Sequence, residues 1–287
     1  MQVVSIISTK GGVGKTTTAA NLGGFVADAG LRVLLVDLDV QPTLSSYFAL
    51  DKRAPGGIYE LLAFNEQRNA HLISRTGIAG LDLVLSNDDK GQLNTLLLHA
   101  PDGRLRLRNL LPAFAPHYDL MLIDTQGARS VLLEMAVLAS DLAVSPVTPE
   151  ILAARELRRG TLQLIEDIAP YRRLGIAPPP LHLLINRVHP VSANARAIQQ
   201  ALRQIFRDHA GVHVLDTDIP AVEAYPRAAT QGLPVHRVEY RRPATRVAPA
   251  ALDTIRALAC ELFPQWQEQL HTVAGKHRGR RSHAKPA

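Results

Sequence analysis

The sequence predicts an α/β fold: a doubly wound, mostly parallel sheet with helices on both faces. Three observations carry this. An apolar run at 3–7 leads into a glycine-rich turn and then into a helical stretch at 19–27. Two further runs, at 31–36 and 118–123, are mostly apolar and end on acids, Asp37 and Asp124. Parallel strands are buried on both faces, so they read as nearly continuous apolar runs. Helical periods separate these runs, which is the βα alternation of a doubly wound sheet.

The first turn, at 8–18, reads Ser-Thr-Lys-Gly-Gly-Val-Gly-Lys-Thr-Thr-Thr. Gly11, Gly12 and Gly14 let successive N–H groups converge without Cβ clashes. The helix that follows adds partial positive charge at its N-terminus. Strand, glycine-rich turn and helix together make a phosphate cradle. In that context Lys15 reaches the β- and γ-phosphates, and the Thr16 hydroxyl serves Mg²⁺. The ordinary phosphate-loop pattern has its first glycine at position 9, where this chain has Thr9. Lys10 places a second lysine inside the loop instead.

The run 10–17, Lys-Gly-Gly-Val-Gly-Lys-Thr-Thr, is the deviant Walker A signature. On it the chain resembles the ParA/MinD group of P-loop ATPases. ParA-type partition proteins of plasmids or mobile elements resemble it most. The resemblance implies that ATP lies on Gly11, Gly12, Val13, Gly14, Lys15, Thr16 and Thr17. It also implies that Lys10 crosses to the phosphates of a second subunit.

The second strand ends in Asp37-Leu38-Asp39, and alternation puts both acids on one side of the chain. The resemblance implies that Asp39 activates the attacking water and that Asp37 supports the metal shell through water. Residues 43–48 and 58–62 read as short helices, and 81–85 alternates as a strand. Residues 93–99 and 104–114 read as helices, with Arg104, Arg106 and Arg108 as solvated decoration.

The strand before Asp124 has the Walker B form, in which that acid holds Mg²⁺ through a water. Gln126-Gly127 then suits a mobile loop that senses the γ-phosphate. A strand at 142–147 precedes Pro149-Glu150, which opens a long helix. That helix carries Arg155, Arg158 and Arg159 near one face. A strand at 181–185 ends at Asn186, which the resemblance assigns to reading adenine. Pro220, in a segment like the one that flanks the base in relatives, joins it. A helix is expected from Ala244, with Leu252, Ile255, Leu258 and Leu262 on its apolar face.

Net charge is +6, unevenly spread. Five of the 32 Lys and Arg fall in 275–287, where there is no acid, so the remaining 27 nearly balance 26 Asp and Glu. The expectation is one ATPase domain over 1–274 and a disordered basic tail over 275–287. Cys260 is the only cysteine, which excludes a disulfide framework and a cysteine-held metal within one chain. The sequence shows no leader-like segment and no membrane-length apolar run, so a cytoplasmic protein without integral membrane contact is expected. Arg227, Arg237, Arg241, Arg242 and Arg246 lie in a stretch with Glu239 as its single acid. They are the candidate contacts to DNA phosphates.

The resemblance therefore implies an ATP hydrolase that needs Mg²⁺ and is slow unless stimulated. Lys10, Lys15 and Asp39 would be catalytic; Thr16, Asp37 and Asp124 would serve the metal. The ATP form would be a sandwich homodimer on non-specific duplex DNA, nucleoid-associated, with hydrolysis stimulated by a centromere-binding, ParB-like protein. The alternatives are a MinD-like or machinery-positioning ATPase acting at membrane or cell pole, and a non-hydrolysing nucleotide-dependent repressor or scaffold.

Overall fold

The computed structural model describes residues 1–150 and 152–274; the expected basic tail lies outside the described residues. The strands are β1 (Gln2–Ile6), β2 (Val33–Asp37), β3 (Leu50–Lys52), β4 (Ile73–Thr76) and β5 (Leu81–Val84). After them come β6 (Leu120–Asp124), β7 (Leu142–Val147), β8 (Leu181–Val188), β9 (Val212–Val214) and β10 (Ile219–Pro220). Their order is β10-β8-β7-β1-β6-β2-β5-β4-β3, with β9 also paired to β8. Every pairing is parallel except β3 with β4 and β4 with β5. The predicted fold class is the observed one.

Strand alternation divides the core. Val33 and Leu35 of β2 face the helices Lys15–Asp28 and Ala251–Leu262. Leu34 and Val36 face the helices Ile58–Phe64, Gln92–His99 and Val131–Ala139. Both layers are apolar, which is why these strands show no polar face in the sequence. At Gly23 the first helix packs close on the sheet: a Cβ there would stand 2.7 Å from Leu35 Cδ2.

Four local expectations need correction. Residues 43–48 form turns, not a helix; the N–H and hydroxyl of Ser45 are drawn instead to Asp37. A side chain with such a tertiary acceptor competes with helical hydrogen bonding. The stretch 104–114 breaks into Gly103–Leu105, Arg106–Leu110 and Leu111–Ala113, with Pro112 in the last piece. Two of its three arginines are not decoration: Arg106 is buried on Asp102 and the Leu62 carbonyl, and Arg104 pairs with Glu134, while Arg108 is exposed. The helix expected from Pro149 starts at Ala153 and widens into a π turn at Arg158–Leu162. The helix expected from Ala244 starts at Ala251, after Pro249. The short strands β3 and β4 were not foreseen.

Candidate nucleotide site

The C-terminal ends of β1, β2 and β6 lie side by side, with Ile6 and Asp37 both in register with Asp124. Open α/β sheets bind ligands at such strand ends. The glycine-rich loop leaves β1, and the helix Lys15–Asp28 begins on it. Gly12 and Gly14 have φ of 74° and 96°, a region that residues with a Cβ rarely occupy. Gly14 has a second reason to be glycine: a Cβ would stand 2.3 Å from Asn186 Nδ2.

Lys15 is buried, at 7% exposure. Burial pulls its pKa down, and the nearby Asp124 and Asp39 oppose that shift. Asp37 and Asp124 are fully buried. Loss of water pushes Asp124 up to about 7 and Asp37 up to about 6. The Thr16 hydroxyl donates to Asp124 Oδ2 at 2.6 Å. Asp37 is held from three directions: by the Ser45 N–H at 2.8 Å, the Ser45 hydroxyl at 2.7 Å and the Asp39 N–H at 3.1 Å. Asp39 stands at the rim, partly exposed, with Oδ1 accepting the Gln41 N–H at 3.0 Å.

This donor set fits Mg²⁺. Asp124 Oδ1 is buried with no hydrogen-bond partner, so one carboxylate oxygen is left to serve a cation or its water. Among the described residues no group of three or more His, Cys, Asp or Glu forms a dedicated metal cage. Mg²⁺ needs none, since it takes one or two carboxylates together with waters and substrate phosphates.

Asn186 and Pro220 line a cavity of about 500 Å³ beside Gly14 and Thr17, large enough for a nucleoside. Asn186 also donates from Nδ2 to the Val13 carbonyl at 2.7 Å, so it ties the end of β8 to the phosphate loop. Lys10 lies on its own chain, with Nζ 2.7 Å from Glu150 and 2.8 Å from Glu156. Two glycines bring other segments onto the loop. A Cβ on Gly127 would stand 2.8 Å from Gly11 Cα, and one on Gly160 would stand 1.8 Å from Thr9 Oγ1. Neither contact is legible in the sequence, and neither are Ser45, Glu150 and Glu156 as partners of the site. Their partners are eight or more residues away, and no local pattern records them.

A family model described as an AAA domain matches residues 1–173. The chromosome partitioning protein ParA of Caulobacter vibrioides is 30% identical over 82% of this chain and 86% of its own length. The chain belongs to the ParA/MinD family of P-loop ATPases. McdA of Cyanothece, in an ATP complex, superposes with a TM-score of 0.74 at 21% identity, covering 94% of this chain and 96% of McdA. A cobyrinic acid a,c-diamide synthase of Mycobacterium smegmatis, with ADP and magnesium, superposes at 0.67. It is 26% identical over 83% of this chain and 92% of that one. Nucleotide and Mg²⁺ binding are properties of the family. A shared fold does not by itself assign a function to this chain.

The five candidate DNA arginines are not equivalent. Arg237 is bound to Asp28 through Nε at 2.7 Å and Nη2 at 2.5 Å. Arg246 closes on Glu239 and on the Pro249 carbonyl. The guanidinium groups of these two are thus already engaged inside the fold. Arg227, Arg241 and Arg242 are exposed, with Arg241 over the Tyr240 ring at 5.8 Å. Among the described residues no helix is long and apolar enough to cross a membrane.

Proposed function

We propose that this ATPase partitions or positions a DNA cargo through an ATP-dependent sandwich dimer that holds duplex DNA without sequence preference. The observation that carries the reading is the site itself. A buried lysine, a Thr16–Asp124 pair and two further acids meet at one end of the sheet, beside a base-sized cavity. In the proposed reaction the loop N–H groups and Lys15 bind the β- and γ-phosphates. Thr16 would hold Mg²⁺, with Asp124 and Asp37 serving it through water, and the ion would neutralise charge on the phosphate oxygens. Asp39 orients the attacking water and takes its proton. Lys10 leaves Glu150 and Glu156 and meets the γ-phosphate of the partner chain, where developing negative charge needs a fixed cation. A ParB-like partner accelerates this step, and hydrolysis separates the dimer from DNA.

Exposed Arg227, Arg241 and Arg242 are the proposed phosphate contacts, since a guanidinium can make paired charge-assisted bonds. The test is co-sedimentation of ATP-bound Asp39→Ala protein with random-sequence DNA or with anionic liposomes. Binding to DNA that weakens steeply with salt is expected, as counterion release requires. Binding to liposomes and not to DNA would replace this reading with a membrane-positioning one.

A further inference from the structure

A second cleft, of about 400 Å³, opens at the opposite end of the sheet from the nucleotide site. Arg32, Gly80 and Tyr118, which form part of its wall, stand just before the N-terminal ends of β2, β5 and β6. Lys52, Arg75 and Asp82 cross it as a row on three neighbouring strands, with Lys52 opposite Arg75 and Arg75 opposite Asp82. Like charges placed directly opposite on paired strands destabilise a sheet. Among the described residues neither Lys52 nor Arg75 has an ion-pair partner, and both are exposed. Arg32 differs, being neutralised by Asp119 at 2.7 Å. Among the described residues the cleft thus holds two adjacent exposed cations, neither in an ion pair, with one carboxylate, Asp82, in register with Arg75.

The other side of the cleft offers acceptors. The Asp82 carboxylate receives the Tyr118 hydroxyl at 2.9 Å and makes no ion pair among the described residues. Asn69 Oδ1 is buried and has no partner. An unpartnered buried acceptor is costly unless a donor reaches it. Cations at one side and acceptors at the other fit an anion that also carries hydroxyl or amino donors. The volume suits a molecule of that kind with the size of a sugar phosphate or mononucleotide.

We infer that this cleft is a second, small-molecule site for a phosphate monoester bearing hydroxyl groups, separate from the nucleotide site. Lys52 and Arg75 hold the phosphate; Asp82 and Asn69 accept hydroxyl hydrogens. The nucleotide loop lies at the other end of the strands, so the two sites fill independently.

The test is calorimetric titration of ribose 5-phosphate, AMP and inorganic phosphate into the full chain. It is repeated with Mg²⁺ and a non-hydrolysable ATP analogue already present. Saturable binding of one ribose 5-phosphate per chain, unchanged by the analogue, and of one AMP per chain with the analogue present, is expected. Lys52→Glu with Arg75→Glu should weaken it at least about tenfold, the loss of a single charge-assisted bond. Both positions are exposed, so an unchanged circular dichroism spectrum is expected and separates this loss from misfolding. No saturable binding up to about 10 mM, a range that covers weak small-molecule sites, overturns the proposal. So does AMP binding that the analogue abolishes, or affinity indifferent to the double charge reversal. Inorganic phosphate binding as tightly as ribose 5-phosphate overturns the roles of Asp82 and Asn69, and with them the ligand class.

Discussion

Asp28→Asn removes a charge at the C-terminal end of the helix that carries the phosphate loop. The Asp28 carboxylate receives Arg237 through Nε and Nη2, and lies 2.7 Å from His236 Nε2. The side chains of Asp28, Arg237 and His236 are 11%, 16% and 2% exposed. The substitution leaves a largely buried guanidinium without its counter-charge, which costs about 3 kcal/mol. The pH dependence follows from the same contacts. Burial would raise the Asp28 pKa, but the hydrogen bonds from Arg237 and His236 outweigh it and hold the carboxyl far below its usual range. Below about pH 4 the unfolded chain binds the proton and the folded one does not. The stabilisation is therefore full at neutral pH and lost as pH falls, by about 1.4 kcal/mol per pH unit below pH 4. Urea unfolding of both proteins between pH 3 and 7 measures this. A loss under about 1 kcal/mol at pH 7 would refute the reasoning, as would a gap that stays constant down to pH 3. The same experiment on Arg237→Gln bears on its assignment. Arg237 should move the urea midpoint and leave the salt slope of DNA binding of the folded protein unchanged.

Lys15→Ala should weaken ATP binding at least about a hundredfold in equilibrium titration, because the buried triphosphate loses its main cation. Asp39→Ala should bind ATP with near-native affinity and lose turnover; a native rate in single-turnover assays would remove Asp39 from the reaction. Gly160→Ala should destabilise the chain by about 2 kcal/mol, since its Cβ would overlap Thr9 Oγ1, and thermal melts would show it. Asn186→Ala leaves the Val13 carbonyl without its 2.7 Å donor, so nucleotide affinity should fall even for analogues with altered bases. If only adenine nucleotides are affected, base reading outweighs loop support. Arg241→Glu with Arg242→Glu should weaken DNA binding equally across sequences while ATP binding persists.

Much of the fold was legible because its information is local. Continuous apolar runs gave β1, β2, β6, β7 and β8, and acids at their ends gave Asp37 and Asp124. The strands β3 and β4 were not legible: they are short, and Lys52 and Arg75 break any apolar pattern. Ser45 misled the reading of 43–48 because its preference was set by Asp37, which no propensity contains. The arginines show the same limit. Charge spacing along the chain put five on one footing, yet Asp28 and Glu239 had already claimed two of them.

The sequence by itself determined the phosphate loop, its second lysine, the strand-end acids and the family, because these depend on residue type at fixed short spacing. Tertiary structure alone decided which charges are available. It placed Lys10 on Glu150 and Glu156, buried Arg237 on Asp28, and left Asp124 Oδ1 open beside Thr16. It also set Lys52 opposite Arg75, neither of them in an ion pair among the described residues. The physical reason is that the availability of a charge depends on its neighbours in space and its contact with water. Folding sets both by joining segments as far apart as residues 28 and 237.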